Sequence, residues 1–173
     1  MPKISLSTGN IAGFKGDALV CPTDSEITYR KTGVSKAVFD KAGEGLLKEA
    51  SAVGFCNLGN TVIAQGYDLD VKHVIFVPVV DRSSEDNKLN TELLHLAVRN
   101  AFILADSYQL KTLAIPMLNS GQRTKPLLER LIARFIKETP ETKPIPDDEV
   151  VNTVMAISKE FEDSSIKEIT IYK

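Results

Sequence analysis

Eight consecutive residues, His73-Val74-Ile75-Phe76-Val77-Pro78-Val79-Val80, are apolar almost throughout. A strand that alternates polar and apolar residues keeps one wet face, whereas a strand apolar at nearly every position suits burial on both. Both faces must then be covered, and the arrangement that does this most readily is a parallel sheet with helices on either side. This run therefore restricts the architecture more than any other segment does.

The other segments supply the parts of such a sheet. Lys3-Ile4-Ser5-Leu6-Ser7 alternates as a half-buried strand. Asp17-Ala18-Leu19-Val20-Cys21 is a short apolar strand that Pro22 is expected to stop, and Thr61-Val62-Ile63-Ala64 and Lys111-Thr112-Leu113-Ala114-Ile115-Pro116 read as two more. From Val34 to Ala50 the apolar residues Val34, Val38, Ala42, Leu46, Leu47 and Ala50 fall at helical spacing, with Gly43 and Gly45 predicting a break into two short helices. Leu93 to Ala105 forms a broad apolar helical stripe. A further helix is expected from Leu127 to Lys137 behind Pro126. Thr139 to Pro146 is a stiff connection, and Asp147 to Phe161 is a helix with acidic residues in its first turn. Ile166 to Tyr172 closes the chain as a strand. The expected product is one domain over residues 1–173, an α/β fold with a sheet of about six strands, partly parallel, and helices on both faces.

Composition narrows the function. Lys and Arg total 21 against 23 Asp and Glu, a formal charge of −2, without the basic surplus of a general nucleic-acid binder. No segment approaches the ~20 apolar residues of a membrane span. The opening Met1-Pro2-Lys3-Ile4-Ser5 has no apolar secretory core. Two cysteines, Cys21 and Cys56, and two histidines, His73 and His95, make neither a disulfide framework nor a zinc site. The expectation is a cytoplasmic protein with no metal and no cofactor.

In sheets of this kind ligands bind beyond the carboxyl ends of the strands. That singles out the loops Pro22 to Ser35, Val80 to Asn90 and Leu118 to Lys125. Asn119-Ser120-Gly121-Gln122-Arg123 is either a cradle of backbone N–H groups for phosphate oxygens or a plain turn with a solvated basic residue. Gly33-Val34-Ser35 opens a helix, where the N-terminus favours an anion or where Thr32 or Ser35 merely caps. Asn10, after the first strand, either reads a nucleobase edge or holds a turn. Asp24 lies where a general base can sit. Cys21 is either reactive or a small core residue.

Taken in order, these segments resemble the macrodomain family over most of the chain. Gly9-Asn10-Ile11-Ala12 stands where the family has Gly-Asp-Ile-Thr. Gly16-Asp17-Ala18-Leu19-Val20-Cys21-Pro22-Thr23-Asp24 is similar to its Val-Asp-Ala-Ile-Val-Asn-Ala-Ala-Asn region. Thr32-Gly33-Val34-Ser35-Lys36-Ala37-Val38 matches the glycine-rich loop and helix. Cys56-Asn57-Leu58-Gly59-Asn60-Thr61 and Gly66-Tyr67-Asp68-Leu69 match the central stretch, and Pro116-Met117-Leu118-Asn119-Ser120-Gly121 matches Pro-x-Ile-Ser-Thr-Gly, with Pro126 at its spacing. The resemblance implies a three-layer α/β/α sandwich around a mixed, mostly parallel sheet. It implies ADP-ribose or a related nucleotide as small-molecule ligand, alone or carried on an ADP-ribosylated protein. The implied ligand-binding residues are Asn10, Ile11, Cys21, Thr23, Asp24, Gly33, Val34, Ser35 and Asn119 to Arg123.

The family's catalytic sets are altered. One hydrolytic branch uses an Asn at the end of the second strand and an Asp at the helix start; here these are Asp24 and Ser35. The aromatic of the second loop is replaced by Arg123, and the glycine triplet is reduced to Gly33 behind Arg30, Lys31 and Thr32. A second branch uses a Lys after the central strand and an Asp in the later loop; here stand Val79-Val80-Asp81 and Gln122-Arg123. The expectation is a nucleotide binder. The alternatives are a hydrolase of ADP-ribosyl derivatives with Asp24 as base, and an interaction module that has lost the nucleotide.

Overall fold

The computed structural model describes residues 1–28, 33–81, 89–118 and 145–173. Its strands are β1 (Lys3–Ser7), β2 (Gly16–Asp24), β3 (Val62–Gln65), β4 (Val71–Val80), β5 (Thr112–Pro116) and β6 (Glu168–Tyr172). Its α-helices are α1 (Gly33–Ala42), α2 (Glu44–Val53), α3 (Thr91–Ser107) and α4 (Asp147–Glu160), with a short 3-10 turn at Ile11–Gly13. The expected helix at 127–137 and the connection at 139–144 lie outside the described residues.

The six strands form one sheet in the order β1-β6-β5-β2-β4-β3. Every neighbouring pair is parallel except β3 with β4. The mixed, mostly parallel sheet inferred from the sequence is thus the one observed, and the sheet lies between two helical layers. The apolar run of β4 shows why. Ile75, Val77 and Val79 enter the core beneath α3 and α4, while Val74 and Phe76 enter the core beneath α1 and α2. β2 divides in the same way, with Ala18 and Val20 on the first side and Leu19 and Cys21 on the second. Phe39 of α1 stacks on Phe76 with ring centroids 5.7 Å apart, which fastens the first helix to the middle of the sheet.

The two short helices part at Gly43, whose φ of 79° places it in the left-handed region that favours glycine. Pro22 does not stop its strand, because β2 continues to Asp24. β5 is in register with β2 only at Ala18 and Leu19, so at Pro22 the strand is paired through β4 alone. A strand paired on one side tolerates a residue that cannot donate to a second ladder.

Asp17 fastens the opposite edge of the sheet. Its Oδ2 accepts the backbone N–H groups of Lys111 (2.8 Å) and Thr112 (3.1 Å), and its own N–H donates to Thr112 Oγ1 at 2.7 Å. Its Oδ1 meets Lys72 Nζ at 2.7 Å. One carboxylate therefore joins the starts of three strands. Burial resists its ionisation, but the Lys72 ammonium and the two backbone N–H groups outweigh that and hold the carboxyl at about 2.

Candidate functional site at the strand ends

β1, β6, β5, β2 and β4 all run the same way, so their carboxyl ends share one edge of the sheet. The residues following them are the ones the sequence singles out. Beyond β1, Asn10 caps the 3-10 turn, its Oδ1 accepting the Ala12 N–H at 3.0 Å. The carbonyl oxygen offered for reading a base thus already carries one bond, while the side chain stays exposed. Ile11 is buried and opens that turn, where an N–H has no acceptor within the helix. The turn packs against α1, and α1 packs on β2, so the elements bearing Asn10, Ile11, Gly33 and Thr23 adjoin.

At the end of β2, Asp24 is completely buried. Its Oδ1 accepts the Thr28 N–H at 2.9 Å and its Oδ2 accepts the Thr28 hydroxyl at 2.6 Å. Both oxygens therefore hold the turn that leaves the strand. Thr28 carries no motif signal; its place four residues after an Asp at a strand end is the only hint. Cys21 is fully buried in the α1 and α2 core, its Sγ 3.9 Å from the Pro22 carbonyl oxygen.

Among the described residues, three buried side chains have hydroxyls that make no hydrogen bond: Thr23, Ser25 and Ser35. Leaving such a group unsatisfied costs about 1–3 kcal/mol. Thr23 shares strand parity with Leu19 and Cys21, and so faces the helical layer containing α1. Ser35 lies on the buried stripe of α1 with Val38, Phe39 and Ala42, which faces the sheet. Ser25 follows β2, and its carbonyl accepts the Cys56 N–H at 2.7 Å. Unspent hydroxyls thus stand on both sides of the α1–β2 junction.

Gly33 opens α1 with a φ of 75°, is exposed, and has open space where a side chain would start. Val34 is half-buried against the same core, and the first turn of α1 has no acidic residue. The helix end therefore presents partial positive charge without a built-in counter-charge. Residues 29–32 and Asn119, Ser120, Gly121, Gln122 and Arg123 lie outside the described residues. The two histidines sit elsewhere: His73 edge-on to Tyr108, and His95 with Nε2 3.3 Å from Thr153 Oγ1. Among the described residues no cluster of His, Cys, Asp or Glu is arranged to hold a metal, and no helix is long and apolar enough to cross a membrane.

A parallel sheet ending in these turns, with the first long helix starting over β2, is a recurrent arrangement, and comparison with known proteins identifies it. The family model for the macro domain matches residues 20–131. The chain belongs to the macro domain family. A macro domain-containing protein of Methanosarcina mazei is 30% identical over 149 residues, covering 81% of this chain and 78% of that protein. The macro domain of ganglioside-induced differentiation-associated protein 2 superposes with a TM-score of 0.72 at 18% identity, over 98% of this chain and 76% of that one. The Trypanosoma brucei macrodomain, solved in complex with ADP-ribose, superposes with a TM-score of 0.72 at 19% identity. That alignment covers 98% of this macro domain, which spans 62% of the trypanosomal chain.

Proposed function

We propose that this macro domain binds ADP-ribose or a closely related nucleoside diphosphate derivative at the carboxyl edge of its sheet. The observation that carries the reading is the α1–β2 junction, where a helix N-terminus without acidic residues meets the buried, unspent hydroxyls of Thr23 and Ser35. Such a junction offers the N–H groups and positive potential of the α1 N-terminus to diphosphate oxygens, with unspent hydroxyls beneath that end, and Ile11 and Asn10 stand on the neighbouring turn for the base. Family membership supports the ligand class, as does the trypanosomal relative solved with ADP-ribose. The ligand comes free or attached to a protein, and the domain needs no cofactor. Isothermal calorimetry with ADP-ribose tests the reading: one saturable site supports it, and no heat at millimolar ligand overturns it.

A second reading, hydrolysis of an ADP-ribosyl derivative, rests on the carboxylate of Asp24 at the end of β2. The bonds from both of its oxygens to Thr28 favour a positioning role instead. On that account Asp24→Asn, which keeps an acceptor for the Thr28 N–H, leaves ADP-ribose affinity within about threefold of the native value. Asp24→Ala frees the turn, strands the Thr28 N–H and lowers stability by about 1–3 kcal/mol. Calorimetry and thermal melting on the two variants check this. Turnover of ADP-ribosylated protein that Asp24→Asn abolishes without weakening binding would establish the base instead.

A further inference from the structure

The segment between α2 and β3 forms, with one face of α3, a cleft of about 460 Å³ that the strand-end reading does not use. Its lining includes Phe55, Asn57, Asn60 and Thr61 from the segment, and Asn100 and Ile103 from α3. We propose that this cleft is a second ligand site, specific for an uncharged heteroaromatic ring of the nucleobase type.

Three features of the lining select that ligand. The volume lies within the range of small-molecule sites, ~300–1,000 Å³. Among the described residues no Lys, Arg, His, Asp or Glu contributes to the wall, so no charged side chain in it favours a phosphate or a carboxylate over an uncharged ring. The walls combine one large aromatic face with carboxamides. Phe55 is 52% exposed, a large apolar ring left in water at the rim of a concave site. A flat ring stacking on it removes one face of each ring from solvent, and such stacking is tolerant of ring identity.

The carboxamides supply the edge contacts. Asn100 is held by its Nδ2, which donates to the Gly59 carbonyl at 2.8 Å, and so presents Oδ1 as an oriented acceptor. Asn57 and Asn60 are exposed, and among the described residues neither makes a side-chain hydrogen bond. Each offers a donor and an acceptor side by side, the pattern that meets adjacent polar atoms on a base edge. The segment is also set in place before any ligand arrives. The Asn60 N–H donates to the Asn57 carbonyl at 3.1 Å, and the Cys56 N–H donates to the Ser25 carbonyl at 2.7 Å. Fixing the backbone that carries Asn57 and Asn60 in advance, together with the bonded Asn100 carboxamide, reduces part of the ordering cost of binding.

The test is amide chemical-shift mapping by NMR on the full chain, titrated separately with adenosine, nicotinamide, ADP-ribose and an uncharged peptide. The expected result is a saturable, millimolar-range response to adenosine or nicotinamide at residues 55–62 and 100–104. Phe55→Ala weakens it by about fivefold or more, because it removes the stacking face, while Phe55→Tyr retains it. Phe55 is largely exposed, so the alanine variant folds, which its melting temperature verifies. Asn60→Ala provides an independent loss of edge contacts. The proposal is overturned by any of three results: no saturable shift in the cleft, a response unchanged in Phe55→Ala, or a response to the peptide and not to the rings. ADP-ribose shifts at residues 10–12, 23–25 and 33–35 report the strand-end site separately, so either site can fail without the other.

Discussion

Asp17→Ala is expected to cost this macro domain about 1–3 kcal/mol, although the residue lies at the edge of the sheet opposite the proposed ligand site. The substitution removes the acceptor of the Lys111 N–H and of the part-buried Thr112 N–H and breaks the link between β2, β5 and β4. Lys72 is 71% exposed, so the ion pair itself contributes little and the backbone bonds carry most of the effect. For a chain of this length the loss appears as a melting temperature lower by roughly 2–12 °C. The same carboxyl sets an acid limit. Its folded value, about 2, lies below the ordinary 3.8, so its contribution is fully present above about pH 4 and is lost as the pH falls towards 2. The shift corresponds to about 2 kcal/mol. Chemical denaturation from pH 6 to pH 2 checks the sign: native stability falls more steeply below pH 4 than that of Asp17→Asn. Parallel curves would remove Asp17 from this role.

Gly33→Glu is the second substitution with a large expected effect, this time on binding. Gly33 is exposed with open space around it, so the new side chain has room. In the proposed site a carboxylate there places like charge beside the diphosphate, and ADP-ribose affinity is expected to drop by about tenfold or more, or ~1.4 kcal/mol. The positive φ strains any replacement by about 1 kcal/mol, so Gly33→Ala serves as the control with equal strain and no charge. Calorimetry on the pair separates the terms: the glutamate variant binds weakly and the alanine variant binds near the native value. Equal affinities in the two variants would show that the α1 N-terminus does not face the ligand charge.

Much of the fold was readable because burial leaves a periodic trace. The near-continuous apolar run from Val74 to Val80 suited a strand covered on both sides, and Gly43 and Gly45 within a helical spacing implied a break there. Pro22 misled because a pattern treats proline as a terminator, while its cost depends on whether a second neighbour needs its N–H. Here β5 does not reach that far along β2.

The site was less readable, because hydrogen-bond partners and unspent hydroxyls have no period. Thr28 looked like any loop residue, and nothing marked Ser25 as buried. Ser35 was legible in principle: Val38, Phe39 and Ala42 continue backward to it at helical spacing, which places its hydroxyl against the sheet. The ordered matches from Gly9-Asn10-Ile11 to Pro116 identified the family. They did not show that Asp24 binds Thr28, since that bond depends on the path of the turn after β2.

The measurement that tests the central claim most directly is a thermal shift with ADP-ribose, set against AMP and ribose 5-phosphate. Ligand at 100-fold its dissociation constant adds about 2.7 kcal/mol to stability. For this chain that is a rise of roughly 5–10 °C. A rise of that order is expected with ADP-ribose and clearly smaller ones with either fragment, because in the proposed site only the whole ligand spans the Asn10 turn and the α1–β2 junction. No rise with ADP-ribose at millimolar concentration, or equal rises with all three ligands, would contradict it.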